Sequence, residues 1–192
     1  MLAKRAMIPE ACFLSSNNVM LSYLYKPVPP LSDFIEHFWL YDAYSSAYAH
    51  ERILPTGAFD LVFNLRNDEL RIYDEIKSPL CSRHSGALVS GPYNGSFVTD
   101  RMQGASAMGV HFRPGGAFPF LGFSAHEFAD KHVDLDCIWG RSAGKIRERL
   151  ADASSPRHRF RLLENVLLTR LRRPLEHHPA VSLALIGFKE YS

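Results

Sequence analysis

The fold is decided above all by residues 109–122, which read Gly109-Val-His-Phe-Arg-Pro-Gly-Gly-Ala-Phe-Pro-Phe-Leu-Gly122. Residues 108–113 carry a short strand pattern, and Pro114 with the two glycines after it ends that strand. Residues 117–121 can then begin a helix. This stretch therefore predicts a strand, a glycine turn and the start of a helix in direct succession.

Short strand patterns also fill the chain upstream of residue 109. Turn residues separate six of them, at residues 35–43, 51–54, 59–65, 70–73, 87–90 and 96–101. In residues 59–65 the apolar side chains alternate with Asp60, Val62 and Asn64, which gives one strongly apolar face and one mixed face. Residues 77–85 are polar and predict a loop. Many short strands with tight turns favour a small antiparallel barrel.

The apolar period lengthens to about 3.6 residues after Gly140, which predicts helices. The first helix is expected at residues 141–153. Ser155-Pro156 supplies an N-cap and a proline in the first turn of a second helix, expected to run to about residue 172. These two helices predict an αα-hairpin, and residues 177–188 begin a further short amphipathic helix. The predicted fold class is therefore α+β.

Composition is that of an ordinary globular protein, with 192 residues of which 46% are apolar and 22% charged. No run reaches the roughly 18 apolar residues that a membrane span requires, and the first residues lack a secretory signal. The three cysteines lie far apart, which favours reduced thiols, and we expect Cys137 to be buried. We therefore expect a cytoplasmic protein without membrane association.

The formal charge of +2 hides a basic C-terminal third. Residues 141–173 hold ten Lys or Arg against three Asp or Glu, a net charge of +7, which leaves −5 for the rest of the chain. This asymmetry suggests an anionic neighbour, of which nucleic acid is the commonest. The candidate electrostatic face toward DNA or a partner protein consists of Arg147, Arg157, Arg161, Arg172 and Arg173. The alternative is an ordinary solvated helix face.

A set of motifs occurs in a fixed order along the chain. They are Pro29-Pro-Leu31, Phe38-Trp39, Ile53-Leu-Pro-Thr-Gly-Ala-Phe-Asp-Leu-Val-Phe63, Ser90-Gly-Pro92, Gly109-Val-His-Phe-Arg-Pro-Gly-Gly116, Asp134-Leu-Asp-Cys-Ile-Trp-Gly140 and Arg159-Phe-Arg-Leu-Leu-Glu164. Through these motifs the chain from about Ser22 onward resembles bacterial transcription regulators of the AraC/XylS type, in the branch with an uncharacterised N-terminal domain.

The resemblance implies a small cupin-like β-barrel, then linker helices, then a double helix-turn-helix module. With the strand and helix patterns it divides the chain into a leader (1–19), a cupin-like sensor barrel (20–140), linker or dimerisation helices (141–176) and the start of a truncated helix-turn-helix DNA-binding domain (177–192). The implied function is ligand sensing, dimerisation or both. The implied partners are an unknown small-molecule effector, a second copy in a homodimer, and DNA through a downstream module absent from this chain.

A sensor barrel needs a pocket with apolar walls and a few polar groups that orient the ligand. The candidate walls are Trp39, Phe63, Val110 and Phe112. The alternative is that these side chains fill a closed core, because small barrels are usually packed solid. Along a regular strand, His111 points away from Val110 and Phe112.

Arg113, Gly115 and Gly116 form a possible anion nest, because glycines ahead of a helix can present backbone N–H groups to an anion. A plain turn from a strand to a helix is the alternative. The sequence has no glycine motif of the kind that binds nucleotide phosphates.

Metal binding and catalysis have no motif support. The nine histidines include no His-x-His pair and no recurring ligand spacing, and no Gly-x-Ser-x-Gly occurs. We therefore expect no metal, no cofactor, no catalytic residue and no enzymatic activity. Two other functions stay open: a stand-alone cupin-like small-molecule-binding protein or metalloenzyme, and a truncated interaction protein that pairs with full-length regulators.

Overall fold

A computed structural model describes residues 20–43, 50–74, 80–100, 106–177 and 179–190, so the expected leader at residues 1–19 lies outside the described residues. Ten strands in these ranges are numbered β1 to β10: Met20–Tyr25, Ile35–Ala43, His50–Ile53, Asp60–Asn64, Glu69–Tyr73, Ser82–Ser85, Ala87–Ser90, Phe97–Asp100, Ser106–Phe112 and His132–Asp134. The helices α1 to α5 are Phe118–Leu121, Leu135–Trp139, Ser142–Asp152, Pro156–Thr169 and Pro179–Glu190.

The strands form two antiparallel sheets. The larger sheet has six strands in the order β1-β2-β9-β4-β7-β10, and the smaller has four in the order β3-β8-β5-β6. The pairings of the described strands are all antiparallel. The α+β class is confirmed, but the described strands pair into two separate sheets and not into one closed barrel.

The larger sheet has two chemically different faces. Its apolar face packs on the helices and is fully buried at Phe38, Leu40, Leu61, Phe63, Val110 and Phe112. The ring of Phe38 lies 6.5 Å from that of Phe160 in α4, between centroids. Each buried Phe or Leu side chain contributes about 1.5–3 kcal/mol through removal of apolar surface from water. The core therefore lies between this face and the helices, and the mixed face is turned toward the smaller sheet.

Helices α3 and α4 are joined by residues 153–155 and pack against each other as a hairpin. The predicted N-cap is confirmed, because Ser155 Oγ accepts a hydrogen bond from the His158 amide at 3.3 Å. Helix α4 ends at Thr169, earlier than expected. Thr169 Oγ1 donates to carbonyls of the preceding turn, and Arg170 leaves helical geometry with φ −107° and ψ 9°.

Helix α5 lies beside the glycine turn. His177, just before α5, stacks on Phe34 with 4.5 Å between ring centroids, and a Cβ placed on Gly115 would lie 2.8 Å from Val181 Cγ1. Leu183 and Ile186 on the same helix are 72% and 55% exposed. Among the described helices, none has the length and apolarity needed to cross a membrane.

Three strands were not expected from the sequence: β1, β6 and β10. Strand β6 falls in the segment predicted as a loop, because its Ser-Arg-His-Ser sequence has no apolar alternation and it forms an edge of the smaller sheet. The expectation that Cys137 is buried is wrong. Helix α2 turns Leu135, Ile138 and Trp139 inward and leaves Cys137 exposed.

Candidate ligand-binding cavity

A cavity of about 340 Å³ lies between the two sheets. Strands β2, β4, β7, β9 and β10 of the larger sheet supply one wall, and β3, β5 and β8 of the smaller sheet supply the other. This volume is at the small end of the usual range for ligand sites. The cavity-facing side of the larger sheet is its mixed face.

One row of polar side chains crosses five adjacent strands of that face. We call His37, His111, Asp60, Ser90 and His132 the polar row. Cross-strand pairing places His37 opposite His111, Asp60 opposite both His111 and Ser90, and Ser90 opposite His132. Residues directly opposite on one face have Cβ atoms about 5 Å apart, so the row is continuous. Five distant segments of sequence thus meet in one line.

The first half of the polar row is a coupled group of two imidazoles and a carboxylate. His111 Nδ1 lies 3.0 Å from Asp60 Oδ1, and the His37 ring stacks on His111 with 5.1 Å between centroids. The hydrogen bond to Asp60 raises the pKa of His111. Burial, and then the charge of His111, lower the pKa of His37. Positive charge is therefore favoured on His111, beside Asp60, and disfavoured on His37.

The second half of the polar row is a hydrogen-bonded relay of neutral groups. His132 Nε2 lies 3.3 Å from Ser90 Oγ, and His132 Nδ1 lies 2.5 Å from the Tyr93 hydroxyl. Burial, with a smaller effect from His84, lowers the pKa of His132 to about 4. Burial also raises the pKa of Tyr93 to about 12. Tyr93 thus keeps its proton at neutral pH, and the two contacts join Ser90, His132 and Tyr93 in one hydrogen-bonded chain.

This relay is better suited to positioning hydrogen bonds than to activating a nucleophile. A general base is most effective when its pKa lies near the working pH. Because the pKa of His132 is about 4, His132 is a weak base toward the Ser90 hydroxyl at neutral pH. The arrangement is suited to binding a polar group of a ligand.

An apolar band lies next to the polar row. Trp39, Val62 and Leu88 line this part of the cavity. Gly109 makes room for the Trp39 ring, since a Cβ there would lie 2.5 Å from Trp39 Cζ2 and 2.3 Å from the Leu61 carbonyl oxygen. The Trp39 ring therefore lies across β9, in the direction of β4.

The four expected pocket walls are not brought together. Trp39 lines the cavity, and Tyr41 lies beside it with 5.2 Å between ring centroids. Phe63, Val110 and Phe112 have no exposed surface and belong to the core on the opposite face. The strongly apolar face of the larger sheet packs against the helices, and its mixed face lines the cavity.

The expected anion nest is a tightly packed turn. The Arg113 N–H donates to the Phe34 carbonyl at 2.9 Å, and the Gly116 N–H donates to the Arg113 carbonyl at 2.8 Å. A Cβ on Gly116 would lie 2.0 Å from the Phe34 carbonyl oxygen, and Gly115 has φ +73°. Two of the three N–H groups of the nest are therefore bonded within the protein.

The five arginines of the expected electrostatic face have different surroundings. Arg147 forms an ion pair with Asp68 and donates to the Asn64 carbonyl at 3.2 Å. Arg172 donates to the Ile138 carbonyl at 2.7 Å, and the Arg173 guanidinium lies 5.8 Å from the centre of the Phe118 ring. Arg157 and Arg161 are exposed on α4. Three of the five thus tie segments of the fold together.

Within the described ranges, no group of three or more His, Cys, Asp or Glu has a geometry that could hold a metal ion. Local sequence patterns do not reveal the polar row. The signal in the sequence is a polar residue at a cavity-facing position of an otherwise apolar strand, such as His37 and Ser90. The strand order that aligns these residues is not readable from local patterns.

Residues 23–134 match the model of a family described as a domain of unknown function (DUF6597). The matched segment runs from within β1 to the end of β10 and includes the whole polar row. The chain therefore belongs to the DUF6597 family. No curated protein matches it.

Proposed function

We propose that this member of the DUF6597 family binds a small-molecule effector in the cavity between its sheets and serves as the sensing part of an AraC/XylS-type transcription regulator. The observation that carries the proposal is a cavity between the two sheets in which residues of the polar row lie beside an apolar band. Ligand sites are typically concave, mostly apolar and equipped with a few polar groups that fix orientation. The proposal involves no catalytic step, and the two sheets would be the counterpart of a cupin-like barrel.

The arrangement of β2 supports a sensing role. Trp39 lines the cavity, whereas its neighbours Phe38 and Leu40 are fully buried on the opposite face. Phe38 packs on Phe160 of α4. A ligand that displaces the β2 backbone at Trp39 would therefore also displace side chains that contact the helical hairpin, because close-packed cores transmit displacements.

The helices supply the link to DNA in this proposal. Helices α3 and α4 would be the linker and dimerisation helices. Helix α5 lies where the resemblance places the first helix of a helix-turn-helix module, and DNA would be read by that module in a longer gene product. The basic side chains Arg157 and Arg161 on α4 would add only a weak contact that salt screens.

Ligand binding is tested by a thermal-shift screen of a metabolite library against the wild-type chain and Val62→Phe. Val62 lines the cavity, and the larger ring is expected to fill part of it. Compounds that bind there raise the melting temperature of the wild type and have little effect on Val62→Phe. If no compound stabilises the wild type, or if hits stabilise both proteins equally, the cavity is not the binding site.

The regulatory part is tested by gel shifts of promoter DNA with the longer gene product. A hit from the screen is expected to change the affinity for DNA. Absence of DNA binding with and without every hit would contradict a role in transcription. A stoichiometric transition metal in the purified protein would instead favour the stand-alone metalloenzyme, and a monomer in light scattering would contradict dimerisation.

A further inference from the structure

Among the described side chains that line the cavity, the Asp and Glu carboxylates have no Lys or Arg counterpart. These carboxylates belong to Glu51, Asp60 and Asp100. A carboxylate or phosphate ligand would therefore meet carboxylate-bearing walls where the nearest imidazolium, His111, is already paired with Asp60. Burying a charge without a partner is costly. The lining disfavours an anionic ligand.

Asp60 is the carboxylate best placed to bind a ligand. Asp100 is already held by His50 at 3.3 Å and by Arg71 at 4.0 Å. Asp60 Oδ1 bonds His111 at 3.0 Å, and the other carboxylate oxygen has no hydrogen-bond partner in the described ranges. The Asp60 side chain is 28% exposed, in the cavity wall. One oxygen thus fixes the carboxylate while the other can accept from a ligand.

Asp60 also lies beside an aromatic surface. The Trp39 ring lies over Gly109 of β9, and β9 pairs directly with β4, which carries Asp60. Gly109 lies opposite Val62, and Asp60 is two residues further along β4. Asp60 is therefore a diagonal neighbour of Gly109, about 7–8 Å away, a distance that one small ligand can span. Tyr41 extends the aromatic surface away from Asp60. Aromatic faces attract cations, and their apolar area suits a hydrocarbon body.

We propose that the ligand of this cavity is a small organic cation, an amine whose ammonium group pairs with Asp60 and whose apolar body lies against Trp39. This inference rests on the proposed function, since it concerns the ligand of the same cavity. His111 orients Asp60 through its hydrogen bond and is a positioning residue. The cavity volume of about 340 Å³ limits the body to one ring or a short chain.

A series of three compounds tests the charge of the ligand without altering the protein. Phenethylamine, phenethyl alcohol and phenylacetate share one ring and a two-carbon side chain, and they are cationic, neutral and anionic. Binding is followed in a proton–nitrogen correlation spectrum by the indole N–H signals. The chain has two tryptophans, of which Trp39 lines the cavity and Trp139 is buried beside the helices, so Trp139 is an internal control.

The amine is expected to shift the Trp39 signal in a saturable way and by more than the Trp139 signal. It is also expected to bind at least about tenfold more tightly than the alcohol. Such a factor corresponds to one charge-assisted contact. Phenylacetate is expected to bind more weakly than both. In Asp60→Asn the affinity for the amine is expected to fall to that for the alcohol. Asp33→Asn makes the same charge change at an exposed position outside the cavity and is expected to alter the affinity less than twofold.

Two other results overturn the inference in distinguishable ways. If the alcohol or phenylacetate shifts the Trp39 signal at least as tightly as the amine, the cavity binds ligands but selects no cation, and the proposed function stands. If none of the three shifts the Trp39 signal at millimolar concentration, the inference and the proposed cavity fall together. Because the series needs only the wild-type chain, misfolding of Asp60→Asn cannot obscure the outcome.

Discussion

Replacement of His132 by Asn is expected to remove a large part of the acid sensitivity of folding. The pKa of His132 is about 4 in the folded chain because burial penalises the charged ring, against 6.5 in the unfolded chain. Below about pH 6.5 the unfolded chain binds a proton at His132 and the folded chain does not, so protons favour the unfolded state. The free energy of unfolding is therefore highest above about pH 6.5 and falls as pH is lowered toward about 4. The lost contribution reaches about 2 kcal/mol at about pH 5 and about 3 kcal/mol below pH 4, at roughly 1.4 kcal/mol per pKa unit.

The assay is urea unfolding of the wild type, His132→Asn and His158→Asn at about pH 7.5 and about pH 5. His158→Asn removes a histidine that is exposed on α4. Between the two pH values the wild type is expected to lose about 2 kcal/mol more than His132→Asn, and His158→Asn is expected to follow the wild type. The pKa of His37 is also lowered, so His37 makes folding acid-sensitive too. Because all three proteins keep His37, its effect cancels in the comparison. A difference below about 0.5 kcal/mol would refute the account of His132 as a buried neutral ring.

Four substitutions test the fold in the same unfolding assay. Gly109→Ala is expected to cost about 3 kcal/mol, because its Cβ would lie 2.3 Å from the Leu61 carbonyl oxygen. Gly144→Ala is the matched case in α3, where a Cβ meets no atom within 4 Å, and is expected to stabilise by about 0.5–1 kcal/mol; equal effects of the two would contradict the packing at β9. Ser155→Ala removes the cap of α4 and is expected to cost about 1 kcal/mol, so an unchanged midpoint would argue against the cap. Leu163→Ala empties a fully buried site in α4 and is expected to cost about 2–5 kcal/mol; a loss below 1 kcal/mol would show that α4 does not pack on the sheet.

The strands that pack on the helices could be predicted because burial on one face leaves an alternating pattern. Leu61 and Phe63 are buried where the alternation places them. The cap at Ser155 was equally readable, since it depends on residues within one turn. Strand β6 was missed because polar edge strands take their conformation from a partner strand and not from their own side chains.

The choice of face was the part that local patterns could not settle. Phe63, Val110 and Phe112 were candidate pocket walls because they are the most apolar side chains of their strands. Burying their apolar area against the helices stabilises the fold more, because a close-packed core surrounds the side chains there. The cavity is left with the mixed positions, so its polar groups are visible in the sequence, but the side of the sheet that lines the cavity is not.

The two faces of the larger sheet also constrain how the site can change. Each strand that contributes to the polar row or to Trp39 alternates with core residues, so Asp60 is followed by Leu61, and Trp39 stands between Phe38 and Leu40. A shift of register by one residue would exchange core and cavity positions at once, which is far too costly to occur as a response to a ligand. A ligand can therefore act on this sheet only by small displacements within the existing register.

Such displacements reach α4 through the contact of Phe38 with Phe160. A substitution at Phe160 should therefore alter the response of the helices while leaving affinity for the cavity ligand nearly unchanged. Ligand titrations of Phe160→Leu would separate these two effects, with the Trp39 indole signal reporting affinity and the backbone amide signals of α4 reporting the response of the helices. A large loss of affinity would place Phe160 in the site itself.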